Sequence, residues 1–235
     1  MAGAADGGPS GGIPGAIEAL AAGLGVECRA ASPFNLFAYG YGGQDDHGWG
    51  CAYRCLQMLA DHAARHEGTA AAPASIRELQ EHLVSVGVLS ESQVGSRDWI
   101  EPSHARAFLA ARAGLGERAV YEEILELNVD QEAKLAAFAS LLWEHFGSAK
   151  SPVMIDDSIK AYVIGASRLK DVAAGPLPDN MQVLLFDPHV AALPTEEKPL
   201  GAAGSAVQWR EFRDVFVKEA KRALWMHARV LCKGE

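Results

Sequence analysis

In the stretch QDDHGWGCAYRCLQML, Gln44 to Leu59, a cysteine stands where loop composition gives way to helix composition. Gly48 and Gly50 flank Trp49 just before Cys51. Glycines let the backbone take conformations that other residues avoid, and they leave room for another chain to approach. From Cys51 onward, Leu56, Met58, Leu59 and Ala63 are spaced for a helix that ends at Gly68. The N-terminus of such a helix carries free amides and the positive end of the dipole, which favour a thiolate. The thiolate is the nucleophilic form of cysteine. Most cysteines are small buried residues; the glycine loop and the helix start set Cys51 apart.

A thiol nucleophile needs a base. Among the eight histidines, His189 ends an apolar run, MQVLLFDPH, that breaks into Asp187-Pro188-His189. Residues i and i+2 of an extended segment point to the same side, so acid and imidazole can face each other. Pro188 cannot donate to a ladder, which fits a strand end. Taken alone the tripeptide is an ordinary turn; paired with the cysteine loop it supplies a nucleophile, a base and an orienter. A metal reading would gather His47, Cys51 and Cys55 with His62 or His66. Structural zinc sites use paired close spacings such as C-x-x-C, and no second such pair exists, so the expectation is no metal and no cofactor.

The elements that must position these residues follow from pattern. Residues 1–15, rich in Gly, Ala and Pro, are expected to be disordered, and residues 16–235 to form one domain. IEALAAGLG suits a short helical turn, and Phe34–Tyr41 an aromatic extended segment. A second helix follows in SIRELQEHLVSVG, with a Ser75/Glu78 capping box and Gly87 as its stop. A loop around Trp99 leads to a third helix capped by Ser103, then a strand in RAVYEEILEL and a long amphipathic helix capped by Asp130. PVMID, KAYVIGASRL and MQVLLF are short apolar strands. WREFRDVFVKEAKRAL predicts a final helix and HARVLC a last strand. Helices first and strands later predict an α+β fold, helices packed on a central, mostly antiparallel sheet.

Composition bounds the function. The 235 residues suffice for one sizeable core, and 49% hydrophobic with 22% charged residues is the balance of a soluble globular protein. A net charge of −9 argues against nucleic acid or an acidic membrane as main partner. No apolar run reaches the ~20 residues of a membrane span, and the first residues lack a signal peptide's basic and apolar regions. Four cysteines without a secretory signal suggest free thiols and a cytoplasmic location.

DDHGWGCAYR and FDPH together resemble the ubiquitin-fold-modifier-specific proteases, papain-like cysteine peptidases that act on a small ubiquitin-like protein. YGYGGQDD, VGSRDWI and PVMIDDSIKAYVIGA are similar to further segments of that family, in order, from residue 37 to about 190. The resemblance implies a papain-like fold, with Cys51 as nucleophile, His189 as base and then acid, and Asp187 as its orienter. It implies Tyr39 as an oxyanion donor, where the residues alone do not choose between Tyr39 and Tyr41. Its implied activity is cleavage after the modifier's C-terminal glycine, on precursor, on conjugates or on both, with an adaptor protein as a further partner to be considered. The glycines around Trp49 suit a narrow channel for a glycine-ended tail and make Trp49 a candidate substrate contact. Autophagy cysteine proteases share Gly-Trp-Gly-Cys and Asp-Pro-His, and RCLQML is closer to them; a catalytically silent modifier-binding module is the other alternative. Two departures from the first family fall near the expected cleft: Asp156 and Asp157 replace glycines, and Val190-Ala191-Ala192 replaces Tyr-Thr-Gly.

Overall fold

The computed structural model describes residues 27–68, 72–112, 120–125, 132–157, 159–189, 206–216 and 221–226. The N-terminal segment, the turn expected at IEALAAGLG, Asp130, Val190-Ala191-Ala192 and HARVLC lie outside them. Helix α1, Cys51–His66, follows Gly50 with no side chain capping its first turn. Every residue from Cys51 to Ala60 is buried, so α1 is a central helix rather than a surface one. Helix α2, Ile76–Ser85, carries the expected capping box, Ser75 and Glu78 bonding reciprocally.

Helix α3 runs Pro102–Arg112, which places Ser103 inside the first turn rather than at its cap. Proline suits that first position because its missing N–H would be unpaired there anyway. His104 takes over the capping duty: its Nδ1 accepts from the Glu101 amide at 3.0 Å. Helix α4 spans Glu132–Ser148.

The strands β1 (Cys28–Ala30), β2 (Val120–Leu125), β3 (Val153–Asp156), β4 (Ala161–Leu169), β5 (Met181–Phe186), β6 (Val207–Glu211) and β7 (Lys221–Met226) form one sheet. Its order is β2-β7-β3-β4-β5-β6, with β1 beside β4, and every described pairing is antiparallel. The helix expected from Trp209 to Leu224 does not form as such. Its residues give β6, a single-turn helix α5 at Phe212–Phe216, and β7. The reason is tertiary. Buried β5 has backbone groups on its open edge that need partners, and β6 supplies them from Gln182↔Glu211 to Phe186↔Val207. Strand β7 does the same for β2 and β3.

The sheet is covered on both faces. Met154, Val163, Leu184 and Phe186 pack with α1, α2, α3 and the Phe34–Tyr39 segment. Ile155, Ile164, Val183 and Leu185 pack under α4 and α5. Strand β4 is irregular between Ile164 and Ala166. The intervening Gly165 accepts the Ala31 amide at 2.8 Å and lies against the Phe34–Phe186 ring pair, whose centroids are 4.8 Å apart. A Cβ there would clash with Phe186 and come within 3.1 Å of Phe34. Gly165→Ala is therefore expected to destabilise the fold by about 1–3 kcal/mol, read as a lowered urea midpoint, and Phe186→Leu in the same chain should recover part of the loss. An unchanged midpoint would mean the rings shift freely.

Candidate active site

Cys51 is the first residue of α1 and is fully buried. Asp187 leaves β5 with its amide bonded to the Ala206 carbonyl at 2.7 Å. Its Oδ1 accepts from the His189 backbone N–H at 2.9 Å and from His189 Nδ1 at 2.6 Å. The i, i+2 geometry expected from the sequence thus forms, and with Nδ1 engaged, Nε2 is left free of Asp187, with Cys51 close enough to influence the ring's charge.

Tyr39 completes the cluster. Its backbone N–H donates to the Pro188 carbonyl at 2.9 Å, tying the aromatic segment to the Asp-Pro-His turn. Its phenol lies close enough to Cys51 for the two groups to influence each other's charge. Its ring stands edge-on to His189 at 5.2 Å. Tyr41 instead packs on Phe37 at 4.9 Å, so the structure distinguishes the two tyrosines by position. Trp49 is 9% exposed; its indole donates to the Asp45 carbonyl at 3.2 Å and its ring meets Tyr53 at 6.0 Å.

The cysteine and histidine residues weighed for a metal are not gathered. Among the described residues no group of three or more His, Cys, Asp or Glu is placed to hold an ion. Cys55 points into the core, where burial, then Cys51, Asp156 and Asp187, push its thiol well up. Of the two aspartates that replace family glycines, Asp156 is buried. Asp157 Oδ1 accepts the Ile159 and Lys160 amides at 3.0 and 2.7 Å, closing the β3–β4 turn.

Sequence reasoning passed over three residues. Asp46 is fully buried (0% exposed) and Arg54 is 1% exposed; Asp46 Oδ2 accepts from Arg54 Nε at 2.6 Å. The signal was available: an arginine in the buried first turn of the helix requires an internal anion. The third is Tyr162, whose ring lies 5.2 Å from that of His189; nothing in its sequence context marks it. A second network holds the 95–98 loop beside the cleft. Tyr53 donates to the Asp98 carbonyl at 3.0 Å, and Gln80 bonds the Ser96 carbonyl and the Gly95 amide at 3.1 and 2.8 Å.

The electrostatics fit a proton-handling site. Burial alone would lower the His189 pKa, but hydrogen bonds and charge from Asp187 and Cys51 outweigh it and raise the ring to about 9. Burial, then the neighbouring Cys51 and Asp46, push the Tyr39 phenol up, so it stays a protonated donor. A nucleophile at a helix start, an oriented imidazole and a phenolic donor can perform acyl transfer.

Peptidase family C78 matches this chain over residues 27–224. Ufm1-specific protease 2 of Rattus norvegicus is 31% identical over 163 residues, covering 69% of this chain and 32% of that protein. Probable Ufm1-specific protease 1 of Drosophila melanogaster is 48% identical over 67 residues, 28% of this chain and 29% of that protein. The crystal structure of UfSP from C. elegans superposes with a TM-score of 0.64 at 21% identity, covering 86% of this chain and 34% of that one. The chain spans about a third of the length of the rat relative, 32%. The structural likeness establishes the papain-like α+β fold that the sequence implies.

The raised His189 pKa has a definite sign. The folded protein holds the ring proton between the ordinary 6.5 and about 9. The stability it contributes is complete below pH 6.5 and is lost as pH rises through 9. NMR titration of the ring should give a midpoint near 9 in the native chain and a lower one in Asp187→Asn. Equal midpoints in the two proteins would show that Asp187 does not hold the imidazolium.

Proposed function

The chain belongs to peptidase family C78, and from that premise we propose that it is a thiol protease cleaving after the C-terminal glycine of a ubiquitin-fold modifier. The bond cut would be the peptide bond of a modifier precursor, the isopeptide bond to a target lysine, or both. One observation carries this reading: Cys51 lies beside both the Asp187-anchored His189 and Tyr39, whose ring stands 5.2 Å from the imidazole. The rat relative, Ufm1-specific protease 2, and the fly relative, probable Ufm1-specific protease 1, favour this modifier over that of the autophagy-type enzymes. Retention of the whole set, Cys51, Asp187, His189 and Tyr39, speaks against a silent binding module.

The mechanism follows from the geometry. The Cys51 thiolate attacks the glycine carbonyl carbon, and its oxygen becomes an oxyanion that accepts from Tyr39. Imidazolium Nε2 gives its proton to the leaving amine as the C–N bond breaks, leaving a thioester on Cys51. Water then loses a proton to His189 and attacks the thioester carbonyl. The C–S bond breaks, releasing the glycine carboxyl group, which gives its proton to solvent, and restoring the thiolate–imidazolium pair. Asp187 keeps the imidazole oriented throughout. Trp49 serves in this reading as the wall of the glycine turn along which the tail lies. The free Cys28, Cys51 and Cys55 support a cytoplasmic location, and no described helix is long and apolar enough to cross a membrane. A single domain over 16–235 and recruitment by an adaptor belong to the same proposal.

A ubiquitin-fold modifier carrying a C-terminal electrophile should attach covalently to the native chain and to Cys55→Ala, but not to Cys51→Ala. Attachment to Cys51→Ala, or equal loss in both variants with the fold intact, would remove the assignment. His189→Ala should abolish turnover nearly as completely as Cys51→Ala, since nucleophile and base act as a unit. Tyr39→Phe should lower kcat by about 10²-fold with little change in KM, while Tyr41→Phe stays near wild type. Wild-type turnover in Tyr39→Phe would take its hydroxyl out of the reaction.

A further inference from the structure

Asp46 makes more contacts to the candidate site than a loop residue needs. Its Oδ1 accepts the Gly40 amide at 2.7 Å, one residue beyond Tyr39. Its backbone carbonyl accepts the Gly50 amide at 2.9 Å, one residue before Cys51. Its Oδ2 accepts Arg54 Nε at 2.6 Å. Arg54 in turn donates Nη2 to the Tyr41 carbonyl at 3.1 Å and Nη1 to Gln57 at 2.9 Å. One side chain and its own backbone therefore bridge the segment bearing the phenol and the residue before the thiol. The fit is close: a Cβ on Gly50 would sit 2.6 Å from Asp46 Oδ2.

A fully buried ion pair is a costly way to hold a loop, because desolvation offsets much of the attraction. What it supplies that apolar packing does not is direction, with several donors converging on one carboxylate. Resting on the thiol-protease reading above, we infer that Asp46 is a positioning residue that fixes the Tyr39 hydroxyl over the Cys51 thiol. It acts through the Gly40 amide and Arg54 and touches no reacting atom. Its charge also lies close enough to Tyr39 to help keep the phenol protonated.

Asp46→Asn tests this, since the amide keeps the size but its single oxygen cannot serve both Gly40 and Arg54. Acting through Tyr39, the substitution should lower kcat on a modifier precursor by about 10-fold or more and leave KM near wild type. Alkylation of Cys51 by iodoacetamide, read at that residue by mass spectrometry, forms no oxyanion and should keep its rate. Combined with Tyr39→Phe, Asp46→Asn should cost little beyond Tyr39→Phe alone, because the two act on one donor. Arg54→Lys, which keeps a cation for Asp46 but loses the guanidinium fork, should show a milder loss of the same kind. Fully additive losses, alkylation falling in step with kcat, or an unchanged kcat would overturn the proposal. So would failure of both variants to fold, which would make Asp46 a staple of the fold alone. If the native chain neither cleaves the precursor nor captures the electrophilic modifier, the proposed function fails; if it does both, these arms judge Asp46 by itself.

Discussion

A helix buried on all sides must find an internal partner for every polar side chain it carries. Helix α1 is that helix, and it carries Tyr53, Arg54, Gln57 and His62 among its apolar residues. Tyr53 reaches the 95–98 loop, Arg54 reaches Asp46 and the Tyr41 carbonyl, and Gln57 reaches the Ala74 carbonyl before α2. Each partner belongs to a loop that borders the cleft or leads into α2. Satisfying the polar groups of the central helix and arranging the walls around Cys51 are therefore one operation. His62 is the exception. Its ring nitrogens lack well-formed hydrogen bonds among the described residues, and burial, with His66 nearby, lowers its pKa to about 4, which keeps it neutral.

The two carboxylates of the candidate site, buried Asp46 and half-buried Asp187, differ in their partners. Asp187 faces an imidazole that can gain and lose a proton, so its charge is expressed as a higher His189 pKa. Asp46 faces a guanidinium that cannot be deprotonated, and its remaining oxygen takes the Gly40 amide. In the proposed reaction, the Asp46–Arg54 pair on the Tyr39 side and the Asp187–His189 pair on the β5 side would separate oxyanion stabilisation from proton transfer. The Tyr39 amide bond to Pro188 then joins the two sides.

Local signals in the sequence marked most of the candidate site. Asp187 and His189 were legible because their relation depends only on an extended backbone, and Ser75 with Glu78 because a capping box closes within one turn. Cys51 was legible from its own loop and helix. Choosing Tyr39 over Tyr41 required the family resemblance, since the difference arises where the aromatic segment crosses the Asp-Pro-His turn. Asp46 and Arg54 were missed because eight residues and a change of element separate them. The helix expected at Trp209–Leu224 failed for a related reason. Phe212 and Phe216 do share a helical face, but they support only one turn. The residues on either side answer to the open backbone of β5 and to the gap between β2 and β3, which no local pattern reports.

The departures from the family pattern at Asp156 and Asp157 now have a physical meaning on the strand turn. Glycines close such a turn through backbone freedom; here Asp157 closes it by taking the Ile159 and Lys160 amides on its side chain. The turn is thereby given a carboxylate and a definite shape, and it leads directly into Tyr162, whose ring rests against His189. Burial first, then Asp187 and Asp157, push the Tyr162 phenol up, so this second tyrosine also stays protonated beside the imidazole. His189 thus has a phenolic ring from Tyr39, in the segment before α1, on one side and one from Tyr162, on β4, near it as well. The carboxylate that closes this turn thus stands close to the Tyr162 ring that packs on His189.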